Sequence, residues 1–187
     1  MKRFIFILSV LFLLGQIAGK RRILMVIAHE GFRDEELLIP KETFTKAGYQ
    51  VDVASTDTGY AVGMLGAKVK PDLLISEAAE SLYVALVLVG GVGAKDLFTD
   101  TILHKLVCSF HDRGKLTGAI CLAPIILARA GILKGKRATV WAGAKKDLIR
   151  FGASYVDTDV TIDSSIVTGS GPNAAEQFSL KILDLLK

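Results

Sequence analysis

Cysteine and histidine are scarce in this chain of 187 residues, which holds two of the first and three of the second. Neither the CxxC nor the HxxxH spacing occurs, so the sequence implies no metal site, and nothing in it calls for a cofactor. The two cysteines, Cys108 and Cys121, could form one disulfide if the protein is exported, but the sequence does not measure their separation. A strong excess of charge of one sign is also missing. The formal net charge is +4, of which Lys2 and Arg3 supply two, and the remaining basic residues alternate with acidic ones. That is the pattern of a solvated surface and gives no footprint for nucleic acid. The only basic cluster, Lys20-Arg21-Arg22, adjoins the N-terminal segment, where a membrane-proximal role fits better than nucleic-acid binding. Repeats, low-complexity tracts and linkers are absent, so residues 20–187 read as a single domain with a full core.

Residues 1–19 stand apart from that domain. Lys2 and Arg3 form a positive start, residues 4–14 are apolar except for Ser9, and Gly15 to Gly19 offer small residues near a cut. The run is short for a bilayer span, which favours a secretory signal peptide. Gln16 or Ile17 would occupy a position where a cleavage site prefers a small side chain, so an uncleaved membrane anchor stays open. The expected location is therefore periplasmic, secreted or membrane-anchored, and cytoplasmic if the start codon lies nearer Arg22 or Met25.

The rest of the chain alternates. Strand-like apolar runs are expected at residues 23–28, 51–54, 84–89, 116–120, 138–141 and 166–168, the third being the most hydrophobic and so central. Helices are expected over 34–47, closed by Gly48, and over 101–113, 124–130, 146–151 and 173–186. Residues 60–70 read as a hairpin or irregular excursion. Strands alternating with helices give an α/β sandwich of three layers around a mainly parallel sheet, with functional loops at the carboxyl ends of the strands. Four such loops follow: 29–34, 90–93, 121–124 and 169–172.

The third loop carries the strongest chemical signal. In Ala119-Ile120-Cys121-Leu122-Ala123-Pro124 a cysteine stands between an apolar strand and a proline-opened helix, with an alanine two residues away on either side. Small neighbours at those positions are what a nucleophile elbow requires, because its turn is too tight for bulk. A helix start would favour thiolate over thiol, so Cys121 is expected to ionise below the ordinary cysteine value. The plainer reading is a small buried cysteine closing a core strand. Cys108, at apolar helical spacing, reads as core. Glu36 precedes Pro40 by four residues; proline has no N–H for the Glu36 carbonyl, and the resulting kink would turn the carboxyl into a cleft. If buried there, its pKa would rise. Its plainer reading is a first-turn glutamate favoured by the helix dipole.

Together, Arg33-Asp34-Glu35-Glu36-Leu37 with Pro40, Gly90-Gly91-x-Gly93-Ala94, Ala119-Ile120-Cys121-x-Ala123-Pro124 and Gly171-Pro172 resemble the DJ-1/PfpI superfamily from about Arg22 onward. The resemblance implies a flavodoxin-like fold, usually a homodimer or higher homo-oligomer. It implies Cys121 as the reactive cysteine, Glu36 as the acid that hydrogen-bonds it, and Gly91 and Leu122 as backbone donors of an oxyanion hole. The sequence departs from that family at two histidines: Leu122 follows the cysteine where PfpI-type peptidases carry one, and Trp141 stands where the DJ-1-like branch has another. Ser170 replaces an arginine that often supports the cysteine there. His29, at a strand end, is a further candidate to approach the cleft, whereas His104 and His111, seven residues apart on one helix, read as surface residues. A Cys-His peptidase is therefore disfavoured. The expected activity is that of a cysteine-dependent enzyme acting on small reactive carbonyls or the adducts they form on proteins. A PfpI-type peptidase or amidase, and a non-enzymatic redox sensor or chaperone, are the alternatives.

Overall fold

A computed structural model describes residues 21–187; the N-terminal segment read as a signal or anchor lies outside the described residues. In chain order the strands are β1 (Arg22–Val26), β2 (Glu30–Phe32), β3 (Gln50–Ser55), β4 (Ala61–Gly63), β5 (Lys68–Val69), β6 (Leu73–Leu74), β7 (Ala85–Leu88), β8 (Leu116–Ile120), β9 (Arg137–Ala138), β10 (Ser154–Tyr155), β11 (Val160–Asp163) and β12 (Ile166–Gly169). The helices are α1 (Asp34–Lys46), α2 (Thr101–Asp112), α3 (Pro124–Arg129), α4 (Lys145–Arg150) and α5 (Ala175–Leu185). The main sheet has seven strands in the order β11-β12-β8-β7-β1-β3-β6. All its pairings are parallel except β11 with β12.

The continuous apolar runs of β1 and β7 are explained by burial on both faces. Leu24, Val26, Leu86 and Leu88 join one hydrophobic cluster with α2 and α3, while Ile23, Met25, Ala85 and Val87 join the other with α1 and α5. Because side chains alternate along a strand, one run fills two cores, and three layers result. Phe178 and Ile182 of α5 lie so close to Gly118 in β8 that a methyl group there would meet them at 3.0 and 2.8 Å, which is why this strand carries no side chain at that point.

Two details depart from the expected layout, and a third agrees with it. Residues 139–141 do not extend a sheet strand; β9 covers only Arg137–Ala138 and pairs with β10 in a two-stranded sheet of its own. Thr139 then leaves that pair to donate its N–H to Thr168 Oγ1 at 2.9 Å, tying the segment to β12. The antiparallel edge strand β11 has no counterpart in the expected elements. Finally, residues 60–70 do form a hairpin, β4 with β5, and β4 also pairs in parallel with β2 to make a small third sheet. Asp34 fixes that hairpin by accepting from Leu65 N and Ala67 N, both at 2.8 Å. The hairpin thereby places Met64 beside the carboxyl ends of the main strands.

Candidate functional site

The four loops meet at one end of the sheet. Cys121 follows β8 directly and adopts φ 61°, a left-handed conformation that costs a non-glycine residue roughly 1–2 kcal/mol. Such strain persists where the surroundings fix it. Here the Cys121 N–H donates to the Gly169 carbonyl at 2.9 Å, and the Cys121 carbonyl accepts from Trp141 N at 2.9 Å. The residue is gripped from both sides, and its sulfur is turned out of the sheet toward Gly91 and Leu122, whose backbone N–H groups both donate to it. Leu122 thus contributes an amide to the site in place of a side-chain base.

Glu36 comes from the first turn of α1 and is fully buried. Its Oε2 accepts from Gly90 N at 3.0 Å, and the start of α1 is locked to the same loop because Arg33 N donates to Gly90 O at 3.0 Å. Glu36 Oε1 has no nitrogen or oxygen partner; the group its carboxyl meets is the Cys121 thiol. Gly90 separates the two. A methyl group on it would stand 2.6 Å from Glu36 Oε2 and 2.7 Å from Cys121 Cβ, so only glycine lets acid and thiol meet. Gly91 has φ 100° and its α-carbon packs on the backbone of Gly31 and Arg33, while Gly93 packs on the Glu30 carbonyl. The glycine run therefore permits three backbone approaches that any side chain would block.

The electrostatics reverse one expectation. Burial pushes the Glu36 carboxyl up to about 7, against the favourable contacts from the thiol and the Gly90 N–H. Burial and the Glu36 charge push the Cys121 thiol up to about 12, although the Gly91 and Leu122 N–H groups pull the other way. A sequence argument from the helix start predicts a thiol below its ordinary value. That helix, α3, is only six residues long and begins three residues beyond the sulfur, so desolvation and the neighbouring carboxylate win. Thiol and carboxyl titrate as a pair: below about 7 both hold their protons, and above it the pair carries one negative charge, held on Glu36 with the proton on sulfur.

The sulfur opens into a cleft of about 290 Å³ lined by Arg33, Met64, Gly91, Val92, Lys95, Cys121, Leu122, Trp141 and Pro172. Cys121, Glu36, Gly91 and Leu122 are thus together. His29 is not with them: it does not line the cleft, and its ring lies against Gly59 in the loop between β3 and β4. His104 and His111 are half-buried on α2, away from the cleft. Trp141, half exposed, lies flat on Gly143 and forms one wall. Ser170 turns toward Asp159, with its Oγ 3.4 Å from Asp159 Oδ1. Cys108 is half-buried and packs against the core cluster, and its thiol donates to the Ala130 carbonyl at 3.5 Å; both cysteines are free. Sequence reasoning gave no role to two cations on the cleft wall, Arg33 and Lys95, although Arg33 stood within a recognised motif.

The DJ-1/PfpI family profile matches residues 21–185. The chain belongs to the DJ-1/PfpI family. An uncharacterised protein of Methanocaldococcus jannaschii is 44% identical over 169 residues, spanning 89% of this chain and 82% of that one. Deglycase PfpI of Pyrococcus furiosus is 31% identical over 166 residues, spanning 89% of this chain and 99% of its own. Among solved structures, a ThiJ/PfpI domain protein from Brachyspira murdochii superposes with a TM-score of 0.87 at 32% identity, covering 90% of this chain and 98% of that one. As a DJ-1/PfpI protein, the chain has the flavodoxin-like fold of these neighbours, and each of the four motifs contributes a residue to the cleft described above.

Proposed function

We propose that this DJ-1/PfpI protein is a cysteine-dependent enzyme acting on small reactive carbonyls or on the adducts they form with proteins, with Cys121 as nucleophile and Glu36 as its base. The observation that carries the reading is the Glu36 carboxyl, buried with Oε1 unpartnered against a strained Cys121 and holding a pKa of about 7. A base of that pKa is suited to proton transfer at neutral pH. The proton on sulfur passes to Glu36 as sulfur attacks the aldehyde carbon, and the alkoxide that forms is received by the Gly91 and Leu122 N–H groups. Glu36 returns that proton to the alkoxide, giving a hemithioacetal, and is a base again; for a 2-oxoaldehyde it then moves the C1 proton to C2, which oxidises the first carbon as it reduces the second. Water releases the resulting thioester as a 2-hydroxy acid and restores the thiol. No external oxidant is consumed.

The 31% identity to a deglycase across nearly its whole length supports the carbonyl reading. The cleft offers a peptidase little, because no histidine lines it to protonate a leaving amine. The test compares the protein with its Cys121→Ser variant on methylglyoxal and on an unfolded protein substrate. Cys121-dependent loss of methylglyoxal is expected. Cys121-dependent proteolysis without carbonyl turnover would replace this reading with a peptidase, and turnover of neither would favour a redox sensor or chaperone.

A further inference from the structure

The cleft is larger than a three-carbon aldehyde needs, and its charge is arranged. At about 290 Å³ it lies just under the range for small-molecule sites, roughly 300–1,000 Å³. Beyond the sulfur its walls are apolar, from Met64, Val92, Leu122, Trp141 and Pro172, and two cations join them: Arg33 and Lys95. Arg33 gives Nε and Nη2 to the Glu35 carboxylate at 2.8 and 3.0 Å, which leaves the Nη1 donors uncommitted. Lys95 has no ion-pair partner among the described residues. Both cations are mounted on the loops that hold the reacting groups. Arg33 N is bonded to Gly90 O, and Lys95 lies on the 3-10 turn Val92–Leu97 that follows Gly91. Glu35 pairs with Arg33, and the Glu36 charge that also acts on Arg33 is buried behind Gly90, so on the open wall Lys95 is the cation without a paired carboxylate, and an anionic substrate group would meet it there.

We propose that Arg33 and Lys95 form an anion subsite, and that the substrates this cleft selects are small 2-oxoaldehydes carrying a carboxylate beyond a short apolar linker. The proposal rests on the carbonyl reading above and names its substrate class. For a linker R of two methylenes ending in a carboxylate, OHC–CO–R and water give R–CH(OH)–COO⁻ and one proton, with sulfur bound and released along the way. An apolar wall accepts the linker, and the cations meet the carboxylate with charge-assisted hydrogen bonds.

Two measurements on the full chain separate the subsite from the activity. In the first, Cys121 is alkylated with iodoacetate and with its neutral analogue iodoacetamide, and the rate ratio is read by peptide mass spectrometry. At low salt the ratio at Cys121 is expected to exceed that of free cysteine by about threefold or more, to shrink with added salt, and to fall in Lys95→Gln and further in the double variant with Arg33→Gln. A ratio equal to that of free cysteine, or one unmoved by both substitutions, overturns the subsite. In the second, kcat/KM is compared for 4,5-dioxopentanoate and the neutral isostere 5-methyl-2-oxohexanal. The charged substrate is expected to lead by about tenfold, and Lys95→Gln to erase most of that lead. Equal turnover of the two overturns the substrate class. If neither is consumed while the alkylation ratio is raised, the carbonyl reading fails and the anion subsite stands.

Discussion

Cys121 and Cys108 are the same side chain in two regions of one fold. Both are free, both are half-buried, and burial pushes both thiols above the ordinary value. They differ in what surrounds the sulfur. Cys108 lies on a regular helix and gives its proton to a carbonyl, and Asp112 one turn on opposes its ionisation. Cys121 is held in a left-handed turn, receives two backbone N–H groups and faces a buried carboxyl that titrates near 7. A low pKa is therefore not what sets the elbow cysteine apart. Its distinction is a base of matched pKa together with donors placed where negative charge develops.

The sharpest way to break that comparison is to remove each sulfur in turn. Cys121→Ser is expected to lower kcat/KM on methylglyoxal by about a thousandfold or more, since a hydroxyl in the same place is far harder to ionise. Cys108→Ser should leave turnover within about twofold, because nothing near it belongs to the cleft. Equal losses in the two would erase the distinction.

Glu36→Gln comes next. Turnover should drop by about a hundredfold or more, the usual worth of a general base, and the rise of kcat/KM with pH through about 7 should disappear. The same substitution has a stability signature. Burial raises the folded-state pKa of Glu36 from 4.5 to about 7, so between those values the folded protein holds a proton the unfolded chain has lost. That contribution is full below the unfolded value and is lost as pH rises through 7. At 1.36 kcal/mol per pKa unit, Glu36→Gln should stabilise the protein at pH 8 by on the order of 3 kcal/mol and leave it nearly unchanged at pH 4, as thermal melts at the two pH values would read.

A smaller effect is expected from Gly90→Ala. Its methyl group would press on Glu36 Oε2, the Ile120 carbonyl and Cys121 Cβ, all within 2.7 Å. A loss of about 2–3 kcal/mol in denaturant unfolding should accompany loss of the selective reactivity of Cys121 over Cys108. Gly131→Ala, whose added carbon would meet nothing within 4 Å but whose φ is 89°, should cost about 1 kcal/mol and leave the thiols unchanged.

Much of this was legible in the sequence. Apolar runs at residues 23–28 and 84–89 declare strands covered on both faces, and a cysteine between small residues before a proline declares a tight turn. What escaped has physical reasons. Strand β11 is short and half polar, as an antiparallel edge strand is, and it enters β12 through Ser164 at φ 56°, a conformation residue type does not announce. The direction of the Cys121 shift depends on how deeply sulfur and carboxyl are buried together, which no spacing encodes. Arg33 and Lys95 are separated by one α-helix and five strands, and only the shared anchoring of their loops to Gly90 and Gly91 brings them to one cleft.

The most direct test of the Cys121–Glu36 pairing is the iodoacetamide alkylation rate of Cys121 across pH 5 to 11, measured by intact mass beside Cys108 in the wild type and in Glu36→Gln. The wild type should show a rise centred near 7 as Glu36 becomes a base for the thiol, with a further rise toward high pH as the thiol itself ionises. In Glu36→Gln the step near 7 should vanish, and the remaining ionisation should fall below about 12 because the opposing charge is gone. Cys108 should follow one unchanged curve in both proteins. A Cys121 profile identical in the two would contradict the pairing and leave Glu36 as a buried acid with no part in the chemistry.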